Sequence, residues 1–87
     1  MSPDEVCRQF AIEGVSITVR TLKDESMILI EGSERALQFL SELLQAQSGF
    51  ADCGFGIGPG AAGSGLFSEE STVGLYIHRV PCGDHPK

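Results

Sequence analysis

The stretch S-E-R-A-L-Q-F-L-S-E-L-L-Q-A-Q, residues 33–47, decides the fold of this chain. Its apolar residues follow the spacing i, i+1, i+4, i+7, i+8 of a helix with one apolar side; they are Ala36, Leu37, Leu40, Leu43 and Leu44. Ser33 is a suitable N-cap, because its hydroxyl can accept a hydrogen bond from the first turn. Gly49 is a typical C-terminal stop. We therefore predict a helix over 34–47 that buries this stripe, with Phe39 at its margin under a loop.

Two strands are predicted before this helix. Residues 10–20 alternate in polarity, and the alternation changes parity at Glu13-Gly14, which suggests a bulge or a break. The second strand covers 26–31, and its centre, residues 27–30, is continuously apolar, so we expect both of its faces to be covered. Polar residues 23–25 between the strands suit a hairpin turn.

The N-terminus carries a helix-start signal. Ser2 can act as an N-cap, Pro3 suits the first helical position, and Glu5 completes a capping box. Val6 and Phe10 lie four residues apart and can share a helical face. We predict a short helix over 1–9.

The second half of the chain alternates twice more. Residues 52–57 read as a strand softened by glycines, and residues 72–80 as a closing strand. In the closing strand Val73, Leu75 and Ile77 are predicted on the core face, opposite Tyr76, His78 and Val80. Residues 58–66 are predicted to be a flexible Gly-rich loop, and residues 82–87 a tail. The order is (α)ββαββ. We predict a single α+β domain over 1–87, with one amphipathic helix packed on a mostly antiparallel four-stranded sheet.

The glycine-rich stretch contains a match to the dinucleotide-binding pattern G-x-G-x-x-G at residues 58–63. That pattern needs a following helix whose N-terminal amides hold the phosphates. Here only the brief stretch 66–71, which carries Glu69 and Glu70, precedes the next predicted strand, so we predict no nucleotide cofactor. A flexible connection is the first interpretation. The alternative is a loop whose exposed backbone lets another chain approach closely, and on that basis we include Gly60 and Phe67 among the predicted partner-binding residues.

Charge and composition exclude several classes of function. The chain has 12 acidic and 6 basic residues, a formal net charge of −6. Without a basic stripe, nucleic-acid binding is disfavoured. No apolar run approaches the ~20 residues of a membrane span, and the acidic N-terminus carries no targeting signal. The 3 widely spaced cysteines do not form a secreted disulfide framework, so we predict a cytoplasmic protein with reduced thiols.

Residues near the C-terminus are of types that suit metal binding or catalysis. His78, Cys82 and His85 have the spacing H-x3-C-x2-H, and Cys7 or Cys53 can supply a fourth zinc ligand in space. No C-x-x-C pair supports the site, so it stands as an alternative, and the main prediction is no metal. The sequence also contains a possible catalytic cysteine–histidine pair, Cys53 or Cys82 with His78, but no nucleophile motif surrounds either cysteine. We predict no enzymatic activity and no catalytic residues.

A protein-binding surface is the preferred prediction. Tyr76 and His78 lie on the outward face of the last strand, beside a depression expected at Gly74, and Arg79 adds a hydrogen-bond donor on the other parity. Tyrosine and arginine are favoured at protein interfaces.

The whole layout resembles a known family. Two strands lead into the helix at 33–44, a Gly/Pro-rich connection follows, and the chain closes on G-L-Y-I-H-R-V at 74–80. Over residues 15–80 this is similar to the small acidic immunity proteins of bacterial polymorphic toxin systems. The resemblance implies a protein that binds and neutralises a toxin, with no catalytic residues.

Together these observations predict a small, cytosolic, non-enzymatic protein-binding module of immunity type. Its acidic surface favours a basic partner protein. Two alternatives remain open. One is a small metal- or ligand-binding domain that uses His78 and Cys82, and the other is a homo-oligomer built through an edge strand.

Overall fold

The computed structural model describes residues 1–22, 26–60 and 63–82. In chain order its elements are α1 (Pro3–Ile12), β1 (Ile17–Thr21), β2 (Ile28–Gly32), α2 (Glu34–Ser48), β3 (Gly54–Ile57), a one-turn 3-10 helix (Ser64–Leu66) and β4 (Leu75–His78). The predicted α+β class is confirmed. The described strands form two separate antiparallel pairs, β1–β2 and β3–β4, instead of the single four-stranded sheet that we predicted.

Helix α1 begins where the sequence predicted and ends later. The Ser2 hydroxyl accepts a hydrogen bond from the Glu5 backbone N–H at 3.2 Å, and the Ser2 N–H donates to the Glu5 carboxylate at 2.8 Å, which completes the capping box. That second bond lowers the pKa of Glu5. The helix continues to Ile12, so the predicted strand start at Phe10 is wrong. Gly14 has a φ of 80° and lies just beyond the end of this helix, where we predicted a strand bulge.

Strand β1 lies in the middle of the first sheet region. On one side it pairs with β2, with Val19 opposite Ile30 and Ile17 opposite Gly32. On its other side the chain returns after the 3-10 helix, and the N–H of Ser68 donates to the Ile17 carbonyl at 2.7 Å. The Thr72 N–H donates to the Val19 carbonyl at 2.9 Å. Both backbone edges of β1 are thereby used.

The core is centred on two phenylalanines. Phe10 of α1 and Phe39 of α2 are both fully buried, and their ring centroids lie 5.3 Å apart. The buried side of α2 consists of Ala36, Phe39, Leu43 and Gln47. The predicted stripe was therefore wrong in part: Phe39 is at the centre of the core, whereas Leu37 and Leu44 are 48% and 53% exposed. The spacing i, i+3, i+7, i+11 is as helical as the leucine spacing, and it lets α2 place its one large ring against α1.

An ion pair fixes the end of α1 on α2. The Arg35 guanidinium donates to both carboxylate oxygens of Glu13, at 2.9 and 2.8 Å, and lies 4.3 Å from the centroid of the Phe10 ring. These hydrogen bonds lower the pKa of Glu13 and raise the pKa of Arg35. The pair is solvent-exposed, so its main effect is on geometry.

The second sheet depends on close backbone approach. Gly56 pairs with Tyr76, and a Cβ atom at Gly56 would lie 3.0 Å from the Tyr76 ring. A Cβ atom at Gly74 would meet the Ile57 carbonyl oxygen and would lie 2.6 Å from the Gly58 Cα atom. Several glycines of this hairpin are therefore required by the chain's own packing.

The connection between β3 and β4 returns to the core. Residues 61–62 lie outside the described part of the chain. Beyond them Gly63 adopts a φ of 81°, and Leu66 and Phe67 are buried, at 1% and 8% exposure. The loop predicted over 58–66 thus ends in a core residue, and its flexibility stays a prediction. The alternation of the closing strand is confirmed, since Leu75 and Ile77 are half-buried while Tyr76 and His78 are exposed.

The rotated helix face gives the first testable prediction. Leu43→Ala should lower the free energy of unfolding by about 2–5 kcal/mol, because Leu43 is fully buried. The matched control is Leu44→Ala, which should change it by less than about 0.5 kcal/mol, since Leu44 is 53% exposed. Urea unfolding followed by circular dichroism measures both. Equal costs at the two positions would show that the leucine stripe is the buried one after all.

The close packing at Gly74 gives the second testable prediction. Gly74→Ala should destabilise the protein by about 1–3 kcal/mol, because the added methyl group meets backbone atoms that cannot rotate away. Gly65→Ala is the control, as a Cβ atom there meets nothing within 4 Å. Thermal unfolding of the two variants compares them. If Gly74→Ala is as stable as Gly65→Ala, the close approach of the two strands is not a constraint on the fold.

Candidate functional site

The open end of the β3–β4 hairpin brings together three side chains of types that can bind a metal ion, Cys53, His78 and Cys82. Cys53 directly precedes β3, and its carbonyl accepts a hydrogen bond from the Arg79 N–H at 2.8 Å. His78 is the last residue of β4 and pairs with Gly54. The chain then turns back so that Cys82 forms a disulfide with Cys53, with the two Cα atoms 5.4 Å apart. The prediction of reduced thiols is therefore wrong for these two cysteines.

A three-residue ligand set results from this turn. The Cys53 and Cys82 sulfurs and one His78 ring nitrogen all lie within 4.8 Å of one another. Of the predicted set His78, Cys82 and His85, the structure brings the first two together, and His85 lies outside the described residues. The third member is Cys53, which the sequence suggests only as a fourth ligand.

Cys7 takes no part in this cluster. It is a free thiol on the buried side of α1, and burial raises its pKa to about 11. A thiol of that pKa is almost wholly protonated at neutral pH, and the protonated form is neither a nucleophile nor a metal ligand. Cys7 is a small core residue.

The predicted partner-binding residues divide between surface and interior. Tyr76 is 73% exposed and stacks beside the His78 ring, with centroids 6.5 Å apart. Gly60 is exposed in the turn after β3. Phe67, in contrast, lies in the core. The Arg79 guanidinium donates to the Phe50 carbonyl and, at 3.3 Å, to the Gln47 carbonyl, where α2 ends.

Tyr76 also has a partner within its own hairpin. Its ring lies over Gly54 and Gly56, and a Cβ atom at either glycine would crowd it. A shallow depression lies beside the ring, lined by Gly56, Gly58 and Gly74 among others. This is the depression that we expected at Gly74, and it is too shallow and open to enclose a small molecule.

A surface that the sequence did not predict lies on β2. Met27, Ile28 and Ile30 are 53%, 52% and 41% exposed. Opposite residues of paired strands share a face of the sheet, so Ile30 shares the face of the fully buried Val19. Apolar side chains of the core-facing side thus continue into solvent at β2, and the expectation that both faces of this strand are covered is wrong. A continuous apolar run is compatible with a buried strand and with an interface strand, so the sequence could not separate them.

The backbone of β2 is also available. One edge of the strand pairs with β1, whose far edge is bonded to Ser68 and Thr72. Within residues 1–22, 26–60 and 63–82, no backbone group pairs with the other edge of β2. An edge of unpaired N–H and C=O groups is a template for a further strand. Glu31 and Glu34 are exposed at its end and make this region acidic.

The chain matches no protein-family model, no curated protein and no solved structure. The function of these surfaces is therefore inferred from the residues of this chain alone. Within the described residues, no helix has the length and apolar character needed to cross a membrane.

The assignment of the cysteines gives the third prediction. In air-oxidised native protein, a chromogenic thiol reagent should react with no thiol on mixing, because Cys7 is buried and the other two are joined. In denaturant without reductant it should titrate 1 thiol, and after reduction all 3. Cys7→Ala should remove the thiol seen in denaturant alone. A count of 3 without reductant would show that the disulfide is absent.

Proposed function

We propose that this chain is a non-enzymatic protein-binding module whose β2 edge pairs with an extended segment of a basic partner protein. The observation that supports it is the coincidence on one strand of an unpaired backbone edge and exposed isoleucines at residues 28 and 30. In strand addition, main-chain hydrogen bonds provide affinity, and alternate side chains provide specificity. Strand β2 offers both.

The charge supports a partner of opposite sign. With a formal net charge of −6, two copies of this chain repel each other, and pairing β2 with β2 would bring the Glu31 carboxylates into one small sheet. A segment with lysine or arginine beside its apolar residues would instead be attracted to Glu31 and Glu34. We therefore favour a basic partner over a second copy.

The resemblance to immunity proteins of bacterial toxin systems suggests what such a partner is. In that case the module is a cytoplasmic antitoxin, and its partner is a toxin that it holds inactive. The sequence-based surface around Tyr76 and His78 is the rival site for the same function. It lacks a free apolar strand of the kind found on β2, because the Tyr76 ring already packs on the glycines of β3.

A displayed random-peptide library tests the proposal without knowledge of the partner. Panning against the unreduced protein at low salt should enrich peptides that alternate apolar residues with lysine or arginine. Binding of a synthetic peptide from this pool should shift the backbone amide resonances of residues 28–32. The double variant Ile28→Ser/Ile30→Ser should weaken that peptide at least roughly tenfold, and binding should weaken with added salt because charge attraction is screened.

The control is Ile12→Ser, which removes an isoleucine that is 82% exposed at the end of α1 and should leave affinity unchanged. Circular dichroism should show that all variants are folded. Loss of binding on Tyr76→Ser, with shifts on β4, would move the site to the hairpin and overturn the proposal. A dimer in light scattering that Ile28→Ser/Ile30→Ser dissociates would overturn it in favour of self-association.

A further inference from the structure

We propose that, when its disulfide is reduced, the open end of the β3–β4 hairpin binds one zinc ion through Cys53, Cys82 and His78, and that re-oxidation releases it. This site is separate from β2, and it does not rest on the proposed function.

The ligand types select the metal. Two thiolates and one imidazole form a mixed sulfur and nitrogen set, which suits zinc, and hard oxygen-seeking ions such as magnesium or calcium are disfavoured. Zinc sites with three protein ligands keep the fourth position for water. Bond lengths of ~2.3 Å to sulfur and ~2.1 Å to nitrogen place tetrahedral ligand atoms roughly 3.6–3.8 Å apart. The three ligand atoms of this cluster already lie within 4.8 Å of one another.

The ligands stay near one another after reduction because they are positioned by other bonds. Cys53 and His78 are held by the strand pairing of Gly54 with His78. The Arg79 N–H, bonded to the Cys53 carbonyl at 2.8 Å, extends that pairing beyond the strand, and the Arg79 guanidinium is anchored on Phe50. Only two residues, Val80 and Pro81, then separate Arg79 from Cys82. A short turn that follows a fixed residue keeps the second thiol close to the first.

The cluster is accessible to solvent, so both metal binding and thiol–disulfide exchange can take place there. His78 and Cys82 are exposed, and Cys53 is half-buried, so an ion or a small thiol can reach the cluster. Arg79, the nearest cation in sequence, directs its charge to the carbonyls at the end of α2. The buried Cys7 cannot compete for metal in the folded chain.

The release step balances with a low-molecular-weight disulfide, RSSR, as the oxidant. The zinc-bound pair of thiolates, RSSR and two protons give the Cys53–Cys82 disulfide, free Zn²⁺ and two molecules of RSH. A new sulfur–sulfur bond forms in the protein, the bond in RSSR breaks, and two electrons pass from the cysteine sulfurs to the reagent. Because the disulfide has no thiolate to offer, metal binding and oxidation are mutually exclusive.

Anaerobic titration of the reduced protein with Co²⁺, followed by displacement with Zn²⁺, tests the proposal. We expect one ion per chain, with the near-ultraviolet charge-transfer band of thiolate–cobalt bonds and the visible bands of tetrahedral Co²⁺. Cys53→Ser and Cys82→Ser should each weaken binding at least roughly tenfold, because each removes one thiolate ligand. His78→Ala should weaken binding by a similar factor, and Cys7→Ala should not change it. The oxidised protein should bind no Co²⁺ at the same concentrations.

Glutathione disulfide added to the zinc-loaded protein should release one zinc ion for each pair of thiols lost, as measured with a chromogenic zinc chelator. Three results would overturn the proposal. Equal Co²⁺ binding by the reduced protein and by the double variant Cys53→Ser/Cys82→Ser would mean an adventitious ion only. Unchanged Co²⁺ binding after His78→Ala, or retention of zinc once the disulfide has formed, would also contradict it. Circular dichroism of each variant confirms that a loss of binding is not a loss of fold. Peptide binding at β2 is expected to be the same in all of these variants, so failure of one proposal does not carry over to the other.

Discussion

The contact between Phe10 and Phe39 is the interaction on which the rest of this small domain depends. Among the described residues, this is where the two helices bring their aromatic rings together, and both rings are fully buried. A chain of 87 residues buries a modest share of its surface, so a single pair of rings is a large part of its core. The Arg35 guanidinium covers the Phe10 ring and bonds to Glu13, which ties the end of α1 to the start of α2. With the helices fixed, Ile17 and Val19 of β1 pack into the same core.

The two sheets are stabilised by different interactions. The first derives from that core, because β1 is buried and β2 is paired to it. The second is built from glycines that allow Gly74 to approach Ile57 and Gly58 and allow the Tyr76 ring to cover β3. Alternate residues of this hairpin also pack against the core, and of Phe55, Ile57, Leu75 and Ile77 only Ile57 is buried outright. The cross-link between Cys53 and Cys82 and the anchoring of Arg79 on Phe50 constrain its open end.

The sequence predicted those features that depend on neighbouring residues and missed those that depend on contacts between distant parts of the chain. Local signals succeeded, because they depend on neighbouring residues alone. They are the capping box at Ser2 and Glu5, the alternation from Leu75 to Ile77, and the N-cap at Ser33, whose hydroxyl accepts a hydrogen bond from the Ala36 N–H at 3.1 Å. The buried face of α2 was missed because the sequence contains two stripes with helical spacing, one with the leucines and one with Phe39. The stripe with Phe39 is buried because Phe39 packs against Phe10 of α1, a contact between distant parts of the sequence. The division into two sheets and the exposure of Ile30 depend on tertiary packing that no local pattern encodes. The Cys53–Cys82 pairing joins residues 29 apart, and although Pro81 indicates a turn after β4, it does not indicate which residue that turn approaches.

The separation of the two candidate sites within the fold has a consequence for regulation. Reduction or metal binding at Cys53 and Cys82 changes a turn whose neighbours, His78 and Arg79, are fixed by strand pairing and by the end of α2. Nothing in that anchoring passes through β2, whose only strand partner among the described residues is β1. A ligand shifts a distant equilibrium only if it binds two states of that distant element differently. Since β2 and the hairpin belong to separate sheets, the redox state of the hairpin should act on its own surface, around Tyr76, and leave the proposed strand addition at β2 unaffected.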